Sequence, residues 1–362
     1  MDSSIEILTY RDLRSGLHFD RDKYNVLSYQ YDTRRKTLLA NPYLKDDNRP
    51  YMITGLADNV IVGRTTLFPI KFKTGDSIID GVNGTSFHVE KSYRKSGIGA
   101  EIFMTQMKNC GADVKISAGI SAMALPMNRI VKNIIFQFPK FWQIRNCRAI
   151  LRKLGIKGLI LSVISSIINY PLHAFCNWQL ARGKKAIKSY AVKQESIVPE
   201  WIDEIVLNDG HKYMEVHDHQ WMQWNLDNNF CGGEGNYQVF LTIHKNDSPV
   251  GFLMLKYREY KEYWRMKDAV VCSIVEWGIK KDETLTEKQL IQLAAKYVKN
   301  NVDILEFATE DTALAEYMKK RLFMQVEDAN VSVKDIKKQF PDFGNVELWR
   351  LRLGYSDVIL ST

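Results

Sequence analysis

The stretch Thr85-Ser86-Phe87-His88-Val89-Glu90-Lys91-Ser92-Tyr93-Arg94-Lys95-Ser96-Gly97-Ile98-Gly99-Ala100, followed by Glu101-Ile102-Phe103, decides how this chain is read. Thr85 to Glu90 reads as a strand, and from Ile98 the residues Ile98, Ile102 and Met107 recur at helical spacing. A strand therefore passes through a polar loop into a helix N-terminus, where backbone N–H groups lack intrahelical partners and the peptide dipoles favour negative charge. Glycine at 97 and 99 leaves those amides uncovered, and Arg94 and Lys95 add positive charge. A charge-assisted hydrogen bond from such donors contributes roughly 1.5–3 kcal/mol. The plain alternative is a glycine-softened turn with ordinary surface cations. No Lys-Ser or Lys-Thr follows Gly99 and the glycine spacing is not that of a dinucleotide fingerprint, so neither standard nucleotide loop is present.

Upstream, Ile5 to Tyr10 reads as a strand and Tyr24 to Leu39 as helical, broken at Asn41-Pro42. Tyr51 to Leu56 and Val60 to Phe72 form a hairpin around Asp58-Asn59, residues that tolerate a positive φ, and Ile78 to Val82 adds strand. Downstream come a strand at Val114 to Ile120, a helix containing Met127, Asn128, Ile130 and Val131, and a strand at Phe136-Gln137-Phe138. With Arg94-x-x-Gly97-x-Gly99, this order resembles the GCN5-related N-acetyltransferase family, whose pyrophosphate loop reads Gln/Arg-x-x-Gly-x-Gly/Ala. The resemblance covers Ile5 to Cys147. It implies an α/β fold with a mixed sheet that splays after the loop strand, and acetyl-coenzyme A or another acyl-coenzyme A as co-substrate, without a metal. The pantetheine arm would pair with backbone near His88 and Val89. The pyrophosphate would lie on the amides of Ser96, Gly97, Ile98, Gly99 and Ala100 beside Arg94 and Lys95, with Asn128 touching the arm or the acceptor.

Transfer from a thioester to an amine needs a base for the amine, stabilisation of the oxyanion and a proton for the leaving thiolate. His88 and Glu90 lie two apart on the loop strand and share a face, with Val89 opposite. Glu90 is the first candidate for the general base, directly or through water, and His88 the second; a solvated Glu and a packed His are the plain alternatives. The tyrosine acid that the family often places after the next strand is absent from Ala118 to Val131. Ser121 and Tyr93 are possible substitutes.

From Ser189 the same order of elements recurs. Tyr190 to Ile197 reads as strand, Pro199-Glu200-Trp201 opens a helix at Ile202 to Leu207, and Tyr237 to His244 with Val250 to Tyr257 form a hairpin around Asn246-Asp247-Ser248. Strand at Ala269 to Ile279, helix at Glu287 to Lys299, strand at Asp303 to Phe307, helix at Thr312 to Arg321 and a final strand at Glu347 to Leu353 follow. The loop Lys280-Lys281-Asp282-Glu283-Thr284-Leu285-Thr286 has no glycine and carries acids, so this copy should not bind coenzyme A. The expectation is two tandem folds of this family: residues 1–147 binding acyl-coenzyme A, an apolar and basic helical linker at 148–188, and a degenerate second copy at 189–362. Trp221-Met222-Gln223-Trp224-Asn225 and Trp349-Arg350-Leu351-Arg352 resemble, more weakly, elements of bacterial tandem members, some linked to polysaccharide modification. Trp221, Trp224 and Tyr237 form either a carbohydrate platform or part of a core. His211, His217 and His219 read as a polar loop, not a metal site.

In the linker, the apolar run Gly158 to Ala174 is flanked by Arg148, Arg152, Lys153 and Lys157 and by Arg182, Lys184, Lys185 and Lys188. Asn169, Pro171 and His173 are expected to interrupt it before the roughly 20 apolar residues of a membrane span. It is either a helix packed between the halves or a segment at a membrane surface with its cations on anionic headgroups.

The 362 residues, 45% hydrophobic and 25% charged, exclude disordered and fibrous classes. Five scattered cysteines make neither a disulfide framework nor a zinc knuckle, and an acidic start without an apolar run argues against a signal peptide. The expected location is the cytoplasm, with peripheral contact at the inner membrane face left open. A net charge of +8 suits anionic ligands, and no recognition helix, RNP pattern or basic run points to nucleic acid. The leading expectation is an acyltransferase moving an acetyl group to an amine or hydroxyl of a small molecule or sugar. An aminoacyl-tRNA-dependent ligase of tandem fold and a non-catalytic scaffold are the alternatives.

Overall fold

The computed structural model describes residues 3–16, 31–120, 124–182, 187–228, 235–298, 302–321 and 323–355. Part of the helix expected from Tyr24, together with Ser121, lies outside the described residues.

Both halves open with strands and a tight hairpin. β1 (Ser3–Thr9) leads into α1 (Tyr10–Ser15), which Thr9 caps while Asp12 returns the bond to the Thr9 amide; α2 (Tyr31–Leu39) follows. β2 (Pro50–Ala57) and β3 (Val60–Thr74) meet at Asp58-Asn59, with φ of 49° and 63°, the two consecutive left-handed residues that such a turn requires. β4 (Ser77–Val89), α3 (Ile98–Asn109), β5 (Val114–Ala118), α4 (Leu125–Ile130) and β6 (Ile134–Ile144) come next. After α5 (Arg148–Lys153) and α6 (Gly158–Arg182) the pattern restarts with β7 (Tyr190–Glu195), α7 (Ile202–Leu207), β8 (Tyr213–Glu215) and α8 (His219–Asp227). β9 (Tyr237–Lys245) and β10 (Ser248–Tyr263) turn at Asn246-Asp247 with φ of 50° and 63°, repeating the first hairpin's geometry. β11 (Met266–Ile279), α9 (Glu287–Val298), β12 (Ile304–Ala308), α10 (Thr312–Lys319) and β13 (Met324–Asp335) complete the chain's regular elements among the described residues.

The strands form one mixed sheet in the order β1-β2-β3-β4-β5-β13-β6-β12-β11-β10-β9-β7, with β8 on β3. Each half is completed by the other: β13 lies antiparallel between β5 and β6, and β6 lies antiparallel beside β12. The last strand is β13 and not Glu347 to Leu353, where Val346–Leu348 is a single 3-10 turn and Trp349 makes one bridge to Tyr213. Burial does not decide this, since β12 is also buried throughout; the segment has no ladder beyond that one bridge, and the buried Trp349, Arg350, Leu351, Arg352 and Leu353 are held by side-chain contacts instead. Trp349 packs with Phe72, Tyr213 and Phe343, and the arginines point into the second half.

α3 sits tightly on the first sheet because two glycines lie beneath it. A Cβ at Gly55 would come within 2.7 Å of Ile98, and one at Gly63 within 2.7 Å of Ile102. The buried side of α3 carries Ile98, Ile102, Phe103 and Gln106, with Gln106 in the role expected of Met107. α6 runs without interruption through Pro171, so the expected break is absent, and its Gly158–Cys176 portion is long and apolar enough to cross a membrane. A proline inside a helix removes one hydrogen bond, a local cost that the surrounding turns have absorbed here.

Candidate acyl-coenzyme A site

β4 and β5 pair only briefly, Gly81 to Asn83 against Val114 to Ile116 in parallel, and then diverge. The divergence is fixed by a bulge. Thr66 faces Thr85 and Arg64 faces His88, so Ser86 and Phe87 oppose Thr65 alone, and Ser86 takes a left-handed φ of 55°. Between the separated strands lies a cavity of about 220 Å³, lined by Gly84, Phe87, Phe103, Gln106, Ser117 and Asn128 among others. Its polar lining was not legible as a motif. Gln106 donates to Thr65 Oγ1 at 2.8 Å from the buried side of α3, and an amide on an otherwise apolar helix stripe was the only available signal.

The loop leaves β4 at Glu90, whose amide donates to Val62 at 2.8 Å, and makes a 3-10 turn at Lys91–Tyr93. The Arg94 Nε donates to the Val89 carbonyl at 3.1 Å, folding the side chain back over the strand end. Ser96 returns to the Tyr93 carbonyl through its amide at 3.1 Å and its hydroxyl at 2.8 Å. Gly97 then opens α3 with φ of 90° and supplies no cap of its own, while Ser96 Oγ accepts from the Ile98 amide at 3.4 Å. Nothing lies within 4 Å of a Cβ at Gly97, so its backbone conformation and not crowding demands glycine; at Gly99 a Cβ would press on Val89 at 3.2 Å. Arg94, Lys95, Ser96, Gly97 and Ala100 are exposed, while the Ile98 side chain anchors the turn in the core. A cation-flanked helix end of this kind accepts an anion.

Val89 packs towards α3 and His88 is exposed on the other face, as the alternation requires. Glu90 is half-buried at the strand end. The imidazole of His88 is held below its usual pKa by partial burial and by Arg64 and Arg94, which outweigh Glu90, so it is neutral at pH 7 and able to accept a proton. Tyr93 is half-buried against the cluster under α3. Asn128 lines the cavity wall, but its amide is engaged: Nδ2 donates to the Ala124 carbonyl at 2.9 Å, and Oδ1 accepts from Asn133 at 2.8 Å and Ser332 at 2.7 Å.

Beside the cavity, Lys115 on β5 is buried with its aliphatic chain against Gly84 and its ammonium 5.2 Å from the Phe103 ring. Among the described residues it meets no carboxylate, and burial depresses its pKa from 10.5 to about 8. Between these values the unfolded chain binds more protons than the folded one, so this lysine makes stability rise with pH across that window and costs stability below it. Lys115→Met should raise stability at pH 7, by an amount on the order of 2–3 kcal/mol, and the advantage should shrink as pH climbs from 8 to 10.5. Urea unfolding at pH 7, 9 and 10.5 checks this.

The corresponding region of the second half is lined by arginines held in ion pairs. β11 and β12 pair at Val271 to Ser273 with Ile304 to Glu306 and diverge like β4 and β5. Arg350 donates to Glu276 and, at 2.6 Å, to the Trp277 carbonyl, and its other nitrogen lies 3.5 Å from Asp209. Arg352 binds Glu310 at 2.7 Å and Glu287 at 3.0 Å while lying 3.9 Å over the Trp277 ring. The α9 N-terminus is closed by Thr286, whose Oγ1 accepts from the Gln289 amide at 3.3 Å while Gln289 bonds back to Thr286. A cavity of about 290 Å³ remains at this mouth, but both of its arginines are already paired.

The three histidines go to separate carboxylates. His211 meets Asp209 at 2.6 Å, His219 opens α8 and meets Asp203 at 2.6 Å, and His217 is wholly buried between Glu276 at 2.6 Å and Glu215 at 3.3 Å, stacked on Trp221. The polar loop expected at 217–219 is thus a buried connection and a helix start. Trp221 and Trp224 are core residues, and Trp224 Nε1 donates to the Thr37 carbonyl at 2.9 Å; Tyr237 alone of the three aromatics is exposed, stacked on Tyr257.

No protein-family model and no curated protein sequence matches the chain. Solved structures do. A GCN5-related N-acetyltransferase from Anabaena variabilis covers 92% of this chain and 73% of its own, with a TM-score of 0.54 at 8% identity. The N-myristoyltransferase of Saccharomyces cerevisiae with bound myristoyl-CoA covers 92% and 79%, with a TM-score of 0.55 at 11% identity. A probable N-acyltransferase from Enterococcus faecalis covers 93% and 73%, with a TM-score of 0.54 at 10% identity. Over nearly the whole chain this protein thus shares the fold of GCN5-related N-acetyltransferases and N-myristoyltransferase.

Proposed function

We propose that the protein is an acyl-coenzyme A-dependent acyltransferase that uses the β4/β5 opening for its donor and passes a short acyl group, acetyl in the first instance, to an amine or hydroxyl of a small molecule or sugar. One contrast carries the reading: the start of α3 is flanked by the exposed cations Arg94 and Lys95 beside a cavity lined by neutral groups, whereas at the second-half cavity α9 is capped by Thr286 and Arg350 and Arg352 are already paired with carboxylates. The first half retains what a diphosphate and a pantetheine arm need, and the second has lost it. An aminoacyl-tRNA ligase has no need of the retained loop. A cavity of about 220 Å³ is below the roughly 300–1,000 Å³ of ordinary ligand pockets, which suits the end of the arm with a short acyl group.

In this reading the acceptor nitrogen or oxygen attacks the thioester carbon, Glu90 or the neutral His88 takes its proton, and collapse of the tetrahedral intermediate breaks the C–S bond. The coenzyme A thiolate takes a proton from Tyr93 or from solvent at the open mouth. Glu90→Gln should lower kcat by about 10²–10⁴-fold with acetyl-coenzyme A affinity unchanged, measured by thiol release over a panel of amines, amino sugars and alcohols. Undiminished turnover in Glu90→Gln and a large loss in His88→Gln would move the base to His88. Binding without transfer to any acceptor would favour the scaffold.

A further inference from the structure

α6 is amphipathic in the reverse sense for a helix on a soluble body. Its inner stripe, Leu161, Ser165, Asn169, His173 and Cys176, is turned to the protein and is largely polar. Asn169 accepts from the Cys147 amide at 2.9 Å and donates to Asn146 Oδ1 at 2.8 Å, and His173 Nε2 lies 2.9 Å from the Arg145 carbonyl. Its outer stripe, Ile160, Val163, Ile167, Tyr170 and Trp178, is 49–80% exposed. Large apolar side chains recur there every three or four residues from Ile160 to Tyr170, with Trp178 two turns further on, along a helix of about 37 Å, and among the described residues none covers Ile160, Val163, Ile167 or Tyr170. A contiguous apolar face of this length marks a binding surface.

The charge around it selects the partner. The residues from 114 to 194 contain no Asp or Glu and fourteen Lys or Arg, so the basic excess of the chain lies in the stretch of sequence that contains this helix and the remainder is net acidic. Arg148 and Lys157 before the helix and Lys188 after it are exposed. An apolar stripe between cations fits acyl chains below anionic headgroups. The helix is also long enough to span a bilayer, but its middle is tied through Asn169 and His173 to the end of β6, and a crossing would draw Arg145 and Asn146 into hydrocarbon.

We propose that α6 is an in-plane anchor that seats this protein on an anionic membrane surface through Ile160, Val163, Ile167, Tyr170 and Trp178. The full-length protein should float with phosphatidylcholine vesicles containing phosphatidylglycerol, bind pure phosphatidylcholine less well, and lose affinity as salt rises. Ile167→Glu should weaken binding at least tenfold, with the same circular dichroism and melting temperature as wild type because this side chain is outside the core. Arg148→Glu should weaken binding to the anionic vesicles alone. Alkaline carbonate should strip the protein from membranes of the producing cell. Wild-type protein that ignores anionic vesicles, or Ile167→Glu protein that binds them as wild type does, overturns the anchor. Carbonate resistance would show a spanning helix instead, and a dimer dissolved by Ile167→Glu without vesicle binding would show an interface between copies.

Discussion

Gly97→Glu should weaken acetyl-coenzyme A binding by at least about 100-fold, equivalent to roughly 2.7 kcal/mol. Two effects act together. The carboxylate would stand at the start of α3, where the helix end, Arg94 and Lys95 favour negative charge, and so would repel the diphosphate and compete with it for donors worth roughly 1.5–3 kcal/mol each. The substitution also forces a side chain onto a backbone with φ of 90°, at a conformational cost of about 1–2 kcal/mol. Gly97→Ala separates the two. Nothing lies within 4 Å of its Cβ, so alanine carries the backbone cost without the charge and should weaken binding tenfold or less. Calorimetric titration of wild type and both variants reads the difference, with thermal melting to confirm that each is folded. Equal losses in the two variants would mean that the loop's shape, and not its charge, governs the site.

The second large effect concerns the second-half cleft. Arg350→Met should destabilise the protein by roughly 3–5 kcal/mol, because removing one partner of a buried ion pair leaves the other charge uncompensated. Burial by itself would raise the Glu276 pKa, but Arg350 and His217 more than offset it and hold the carboxyl low. Burial would likewise lower His217, and the bonds to Glu215 and Glu276 outweigh it, leaving the imidazole raised. The linkage follows from these directions. Glu276 contributes stability that is present above its unfolded pKa, near 4.5, and is lost as pH falls through its lower folded value. His217 contributes stability that is present below its unfolded pKa, near 6.5, and is lost as pH rises through its higher folded value. Between pH 4 and 8 the contribution of this pair should therefore be greatest in a plateau that begins near pH 4.5, whereas Arg350→Met should lose stability at higher pH on the acid side because Glu276 protonates more readily. Chemical denaturation from pH 4 to 8 tests this. Since the proposed donor site lies in the other cleft, acetyl-coenzyme A affinity of the folded variant should stay within a few-fold of wild type.

How much of this could be read from the chain depended on how local each signal is. The Arg94-x-x-Gly97-x-Gly99 loop was legible because a positive φ and an uncovered helix end are demands on a few adjacent residues. The two hairpins were legible at Asp58-Asn59 and Asn246-Asp247 for the same reason. β13 was not: Met-Gln-Val-Glu-Asp-Ala at its start is polar and exposed, and its buried residues Val331 and Val333 gain their meaning from β5 and β6, some two hundred residues earlier in the chain. Arg350 and Arg352 suggested an alternating strand, whereas what fixes them is a set of carboxylates on α9, β11 and two loops. Pro171 marked a break, yet α6 continues through it. Asn128 was legible as a residue of the site region, but its internal hydrogen bonds depend on Ser332, which no local pattern connects to it.

Hydrogen exchange of the wild-type protein with and without acetyl-coenzyme A tests the central claim most directly. Bound acetyl-coenzyme A should slow exchange at the amides of Ser96 to Ala100 and along the cavity strands near Ser86 to Val89 and Ser117 to Gly119, with no change from Lys280 to Glu287. Protection confined to Lys280 to Glu287, or none in either half at saturating ligand, would contradict it.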